Sequence, residues 1–166
     1  MTLGFSTVIN KKESLFPEKI IRSLDISEPK KMTQFDLYYE IKPFQKWLNI
    51  NDFFVLNPKL HTIRKDEKDR WKVGNDIHFV INNRTKDRFQ FAPITKVKSI
   101  QKIEMVIRGI KNERPINVYV DGQIIGLGNG LEELALNDGF DSLEEFYNYF
   151  KDGFKGKIIH WTDAQY

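Results

Sequence analysis

From Asn75 to Ile125 the chain passes through one strand-like segment after another, with no helical stretch between them. "NDIHFVINN" alternates Ile77, Phe79 and Ile81 against Asp76, His78 and Val80. "DRFQFAPITKVKSIQKIEMVIR" follows, with Phe89 and Phe91 in step and Ile94, Val97, Ile100 and Ile103 turned inward between lysines. Its phase slips along the way, which calls for a bulge. "INVYVDGQIIG" then places two alternating arms around Asp121-Gly122, a tight hairpin turn. Parallel strands need crossover segments, usually helices. None intervenes here, so the sheet is expected to be mostly antiparallel.

The flanks supply helices. In "SLFPEKIIRSL", Ser14 is a candidate N-cap, Phe16, Ile20, Ile21 and Leu24 share a face, and Pro29 punctuates the following "DISEPKK". "TLGFSTVI" before it reads as a first strand. "MTQFDLYYEIKPFQKWLNINDFF" carries Phe35, Tyr38, Tyr39, Phe44, Trp47 and Leu48 at helical spacing, interrupted by Pro43. Later, Leu131, Leu134 and Ala135 suggest a short helix ended at Gly139. Asp141 or Ser142 then caps a second helix that buries Leu143, Phe146, Tyr147 and Phe150. "GKIIHW" is expected to close the sheet. The reading is an α+β fold: a small, mostly antiparallel, partly open β-barrel with helices on its rim.

At 166 residues the chain suits one domain over 1–166 and can bury a core without staples. It has no cysteine, so disulfides and thiolate metal sites are excluded. Its three histidines, His61, His78 and His160, lack metal-ligand spacing, and no metal or cofactor is expected. His78 and His160 read as strand residues with satisfied rings. No run approaches the roughly 20 apolar residues that span a bilayer, and the start lacks a secretory apolar core. A soluble, cytoplasmic protein without membrane partners is expected. The net charge of +3 permits an anionic partner without demanding one. Basic residues dominate from Lys59 to Lys102 and acidic ones from Glu132 to Glu145. That asymmetry fits either one cationic face or ordinary solvated positions.

Three segments in order carry a resemblance: "KLHTIR", then "WKVGNDIHF", then "ALNDGFDSLEEF" ahead of a last strand, with the "FPEKI" helix upstream. Together they resemble the ASCH family, β-barrel modules related to the PUA domain. The likeness covers Lys59 to about Trp161. Two stretches exceed the minimal pattern, about 30–57 and 107–130. The resemblance implies a cleft at the barrel mouth for RNA or a modified nucleotide. Some small family members resemble amidohydrolases that remove an acyl group from 4-N-acylated cytidine. Their lysine, threonine and late carboxylate match Lys59, Thr62 and Asp138, where the enzymes carry glutamate. The arginine after the threonine matches Arg64.

The residue types suit such chemistry. A threonine hydroxyl is a weak nucleophile that needs a base. Lys59 serves if burial or the neighbouring Arg64 lowers its pKa. Asp138 can move a proton or hold a water, and N–H groups near Gly139 can face an oxyanion. Each residue also has a plain alternative: Lys59 a solvated edge lysine, Thr62 an ordinary strand residue, Asp138 part of a helix stop. Arg64 either forks onto phosphate or pairs with Asp66 or Glu67. Trp71 either stacks on a base or plugs the barrel. In a regular strand His61 points with Lys59 and away from Thr62, so a shared site requires the motif to bend. Two functional expectations follow, an RNA- or nucleotide-binding module using Lys59, Arg64 and Trp71, and a hydrolase using Lys59, Thr62 and Asp138. A protein adaptor built on the aromatic stretch is a third.

Overall fold

The computed structural model describes residues 1–27, 55–107, 116–125, 129–150 and 153–166. The aromatic stretch from Met32 to Phe54 lies outside the described residues.

In chain order the strands are β1 (Thr2–Phe5), β2 (Val8–Ile9), β3 (Lys12–Glu13), β4 (His61–Arg64), β5 (Asp76–Ile81) and β6 (Phe89–Gln90). They continue with β7 (Thr95–Lys96), β8 (Ser99–Ile107), β9 (Ile116–Val120), β10 (Gln123–Ile125) and β11 (Lys155–His160). The helices are α1 (Phe16–Ser27), α2 (Asn129–Asn137) and α3 (Leu143–Tyr149). The fold is therefore mixed α+β, and its pairings are antiparallel except for β1 against β5. That exception joins strands far apart in sequence with α1 between them, the separation a parallel pair requires.

The larger sheet has the order β10-β9-β8-β11-β4, β1-β5-β6 with β7 beside β5 form a second, and β2 and β3 pair as a small two-stranded ribbon. Among the described residues no sheet closes into a barrel. Closure needs the end strands to hydrogen-bond, and β4 and β10 remain the two ends of the larger path. "GKIIHW", expected to close the sheet, forms β11, which sits between β8 and β4 and pairs with both. That central place explains its buried Ile158, Ile159 and His160.

Local chemistry accounts for the elements. Asp121 (φ 50°) and Gly122 (φ 85°) both adopt the left-handed region, as a two-residue hairpin turn of this hand demands. The phase slip after Phe91 is resolved by a break between β7 and β8, not by a bulge. There Val97 is buried while Ile94, expected inward, is 54% exposed. Helix α1 buries Phe16, Ile20 and Ile21, and runs three residues past Leu24. Ser14 Oγ accepts from the Phe16 N–H at a long 3.4 Å. Ser142 caps α3 by accepting from the Glu145 N–H at 3.2 Å.

The two sheets and α1 share one core. Phe79 of β5 meets Trp161, just after β11, edge to face at 5.1 Å between centroids. The Trp161 Nε1–H donates to Ser23 Oγ of α1 at 2.8 Å, so the indole satisfies its one donor inside the core. This packing brings the start of β4 against the end of α2.

Candidate functional site

The end of α2 places the late carboxylate. The Gly139 N–H bonds Leu136 O at 2.8 Å and the Phe140 N–H bonds Ala135 O at 3.1 Å. Those two bonds define a Schellman ending with Gly139 (φ 91°) in the left-handed region. Asp138 is thus the helix's last cap and part of a helix stop, and the reversal turns its side chain inward to 3% exposure.

Lys59 lies just before β4 and is 1% exposed. Its backbone N–H bonds Lys19 O of α1 at 2.9 Å, and the next N–H, of Leu60, bonds Asn137 O at 2.8 Å. These bonds clamp the segment between α1 and α2. The Lys59 Nζ donates to Asp138 Oδ1 at 2.7 Å and to the Asp138 carbonyl, and lies 4.6 Å from the Phe16 ring centre. Oδ1 also accepts the Ile63 N–H at 3.1 Å. One methylene less than glutamate does not keep Asp138 from Lys59.

Burial pulls the Lys59 ammonium down to about 8 against the attraction of Asp138, and the charges of Arg64 and Lys19 push the same way. Burial pushes the Asp138 carboxyl up, but Lys59 and His61 outweigh it and hold it below the ordinary value. Both groups are charged near neutral pH.

His61 joins them. Its Nδ1 stands 3.5 Å from Asp138 Oδ1. Its Nε2 is 2.8 Å from the Tyr166 hydroxyl, which in turn accepts from Asn137 Nδ2 at 2.8 Å. At 3.5 Å the Nδ1 contact with Asp138 is electrostatic and not a hydrogen bond, and the ring is anchored through Nε2 and the Tyr166 hydroxyl. Burial lowers the His61 pKa and raises that of Tyr166, which keeps both neutral. Lys19, 3% exposed, donates to the Gly139 carbonyl at 2.7 Å and to Asp141 Oδ1 at 2.6 Å. The expectation that His61 points with Lys59 matches this arrangement. Sequence reasoning missed Tyr166 and Lys19, and Tyr166 carries no motif that marks it.

The other named residues fall elsewhere. Thr62 is buried on β4, opposite Ile159 of β11. Among the described residues no hydrogen bond joins its hydroxyl to Lys59 or Asp138. The alternation of β4 separates Thr62 from His61 and Ile63, the two neighbours that face Asp138. Arg64, half-buried, pairs with neither Asp66 nor Glu67, which are taken by Lys157 and Lys65. Its Nη2 donates to Gly4 O of β1 at 2.9 Å, and its guanidinium lies 5.0 Å from the Phe5 ring centre. Trp71 is 5% exposed and belongs to the core, so its ring has no free face for a base. His160, expected to have a satisfied ring, is fully buried, and among the described residues neither of its ring nitrogens has a partner.

Phe16 and Gly139, which pack on Lys59, also line a cavity of about 180 Å³ whose rim carries Lys12, Asp141 and Glu145. Lys12 bridges both acids, at 3.1 and 2.9 Å. Among the described residues no group of histidines and carboxylates is arranged to hold a metal ion, and no helix is long and apolar enough to cross a membrane. Comparison with family models, with characterised proteins and with solved structures finds no match for this chain.

Proposed function

We propose that this chain is an ASCH-like module that binds RNA or a modified nucleotide, and that Arg64 is its principal phosphate contact. In this reading the two sheets are the halves of a PUA-like barrel. The observation that carries it is the state of Arg64. Its guanidinium is half-buried, and among the described residues it pairs with no carboxylate. A single backbone carbonyl takes one of its five donors. A guanidinium with spare donors suits the forked recognition of phosphate. Lys59 is not a contact in this reading, because Asp138 holds its ammonium in the interior. The test is fluorescence anisotropy with a labelled RNA over a range of salt. Affinity that falls with salt and weakens in Arg64→Ala supports the proposal. Absence of salt-dependent binding overturns it.

A second reading, an amidohydrolase of 4-N-acylated cytidine, is favoured by one observation. Lys59 meets Asp138 at 2.7 Å and has its pKa drawn down to about 8. A neutral Lys59 would take the Thr62 hydroxyl proton as Oγ1 attacks the acyl carbon. The C–N bond then breaks, the amine leaves with that proton, and water releases the acyl group as a carboxylic acid. The reading requires Thr62 Oγ1 to come within hydrogen-bond reach of Lys59. Incubation with 4-N-acetylcytidine tests it directly, and a lack of cytidine product ends it.

A further inference from the structure

We infer that the open groove between the end of β1 and the β5–β6 turn is a phosphate subsite for a single RNA strand, an inference that rests on the RNA reading above. The groove has a volume of about 530 Å³. Gly4, Ser6 and Thr7 line one wall, and Asn82, Asn83 and Arg84 the other. Beside the apolar Phe5 and Val8, its lining holds hydroxyls, amides and a guanidinium, and no carboxylate. Such a set donates to phosphate oxygens and repels nothing anionic.

The second wall is a built corner. The Thr85 N–H and hydroxyl both bond Asn82 O, at 3.1 and 2.8 Å, and the Arg88 N–H bonds Thr85 O at 3.2 Å. Asn82 (φ 52°) and Arg84 (φ 69°) both take the left-handed conformation. Asparagine tolerates it, whereas arginine adopts it rarely and at a cost. Arg84 is held there at the groove wall.

The corner also carries cations without a carboxylate partner. Lys65, Lys72, Lys96, Lys98 and Lys155 each pair with a carboxylate. Arg84, Lys86 and Arg88 are exposed, and among the described residues they pair with none, which also holds for Lys11, Lys68, Arg70 and Lys102 elsewhere on the surface. The one acid of the turn is Asp87, whose carbonyl accepts from Asn82 Nδ2 at 3.3 Å. Arg64 bonds the Gly4 carbonyl and lies over the Phe5 ring, two residues of the lining, without itself lining the groove.

The ring of Phe5 is itself 5% exposed, so the groove offers no platform for stacking. Contact here is to the sugar–phosphate chain and indifferent to base identity.

The test uses the whole chain and a labelled oligouridylate of about ten nucleotides. Arg84→Glu is expected to weaken binding at every salt concentration. It should lower the slope of log K against log salt by about 0.7 for each phosphate that is no longer neutralised. Arg84→Gly removes the charge while relaxing the backbone, and should weaken binding in the same direction. Lys102→Glu makes the same charge change as Arg84→Glu at an exposed position on β8 and should leave binding nearly unaltered. Equal losses of affinity in Arg84→Glu and Lys102→Glu overturn the groove and leave the RNA reading standing. A wild-type chain without salt-dependent binding overturns both. Unaltered thermal unfolding of the variants confirms that the weakened binding belongs to the surface.

Discussion

Lys59 Nζ and Asp138 Oδ1 lie 2.7 Å apart in a place where neither side chain is more than 4% exposed. They meet because β4 begins against the end of α2, and because the reversal at Gly139 turns the last cap residue inward. A buried pair of this kind is weak evidence for net stability, since desolvation offsets most of the attraction. Its distinctive property is the cost of breaking it.

Asp138→Ala leaves the Lys59 ammonium buried without its partner. It is expected to destabilise the fold by about 3–5 kcal/mol. The double variant Lys59→Met, Asp138→Leu removes both charges and should recover most of that stability. Urea denaturation of Lys59→Met, of Asp138→Leu and of the double variant measures the coupling. Effects that simply add would show that the pair is not coupled.

Gly139→Ala tests the corner itself. A Cβ there would stand 3.0 Å from Lys59 Cδ and 3.1 Å from Phe16 Cε1, at a backbone φ of 91° that alanine resists. Strain of this kind costs about 1–3 kcal/mol. Thermal unfolding should show the drop, and an unchanged midpoint would mean that the corner adjusts freely.

Acid sensitivity should come first from the buried histidines. Burial, helped by the neighbouring His61, draws His160 from 6.5 down to about 3, and His61 is lowered too. Below 6.5 the unfolded chain takes up protons that the folded chain refuses, so stability falls as pH falls. For His160 the decline continues until about pH 3. Its limiting slope is about 1.4 kcal/mol per pH unit. The paired carboxylates, Asp66 and Asp138 among them, have ordinary values near 3.8 and add their own effect only at lower pH. Denaturation at pH 7 and pH 5 isolates the histidine window. His160→Leu should flatten it, and an unchanged slope would assign the effect elsewhere.

Arg64→Lys separates a forked contact from a point charge. If the guanidinium bonds phosphate through two donors, lysine keeps the charge and the salt slope but binds more weakly. Equal affinity in Arg64→Lys and the wild type would show that charge alone matters at this position.

Thr62→Ala decides the hydrolytic reading. Removal of a nucleophile should reduce any release of cytidine by about 10³-fold or more. Turnover at the wild-type rate would remove Thr62 from the chemistry while leaving the Lys59–Asp138 pair intact.

Some of this molecule was legible residue by residue. The Asp121-Gly122 hairpin, the Gly139 stop and the cap before α3 follow from backbone preferences within a few positions. The alternation of Ile77, Phe79 and Ile81 reports their common burial for the same local reason. Consecutive strands without crossovers dictate antiparallel pairing, because a short loop cannot carry the chain back to the start of a parallel neighbour. The central position of β11, the parallel match of β1 with β5 and the open sheet ends were not legible. They depend on which distant strand fills a free edge, and local pattern carries no record of that choice. Trp71 and Ile94 show the same limit, since a side chain's period does not say whether a neighbouring layer covers it. The amino-acid order alone determined the chemistry available near Lys59 and near Asp138. Only packing brought the two residues, 79 positions apart, into one dry contact, because desolvation and charge pairing act across space and not along the chain.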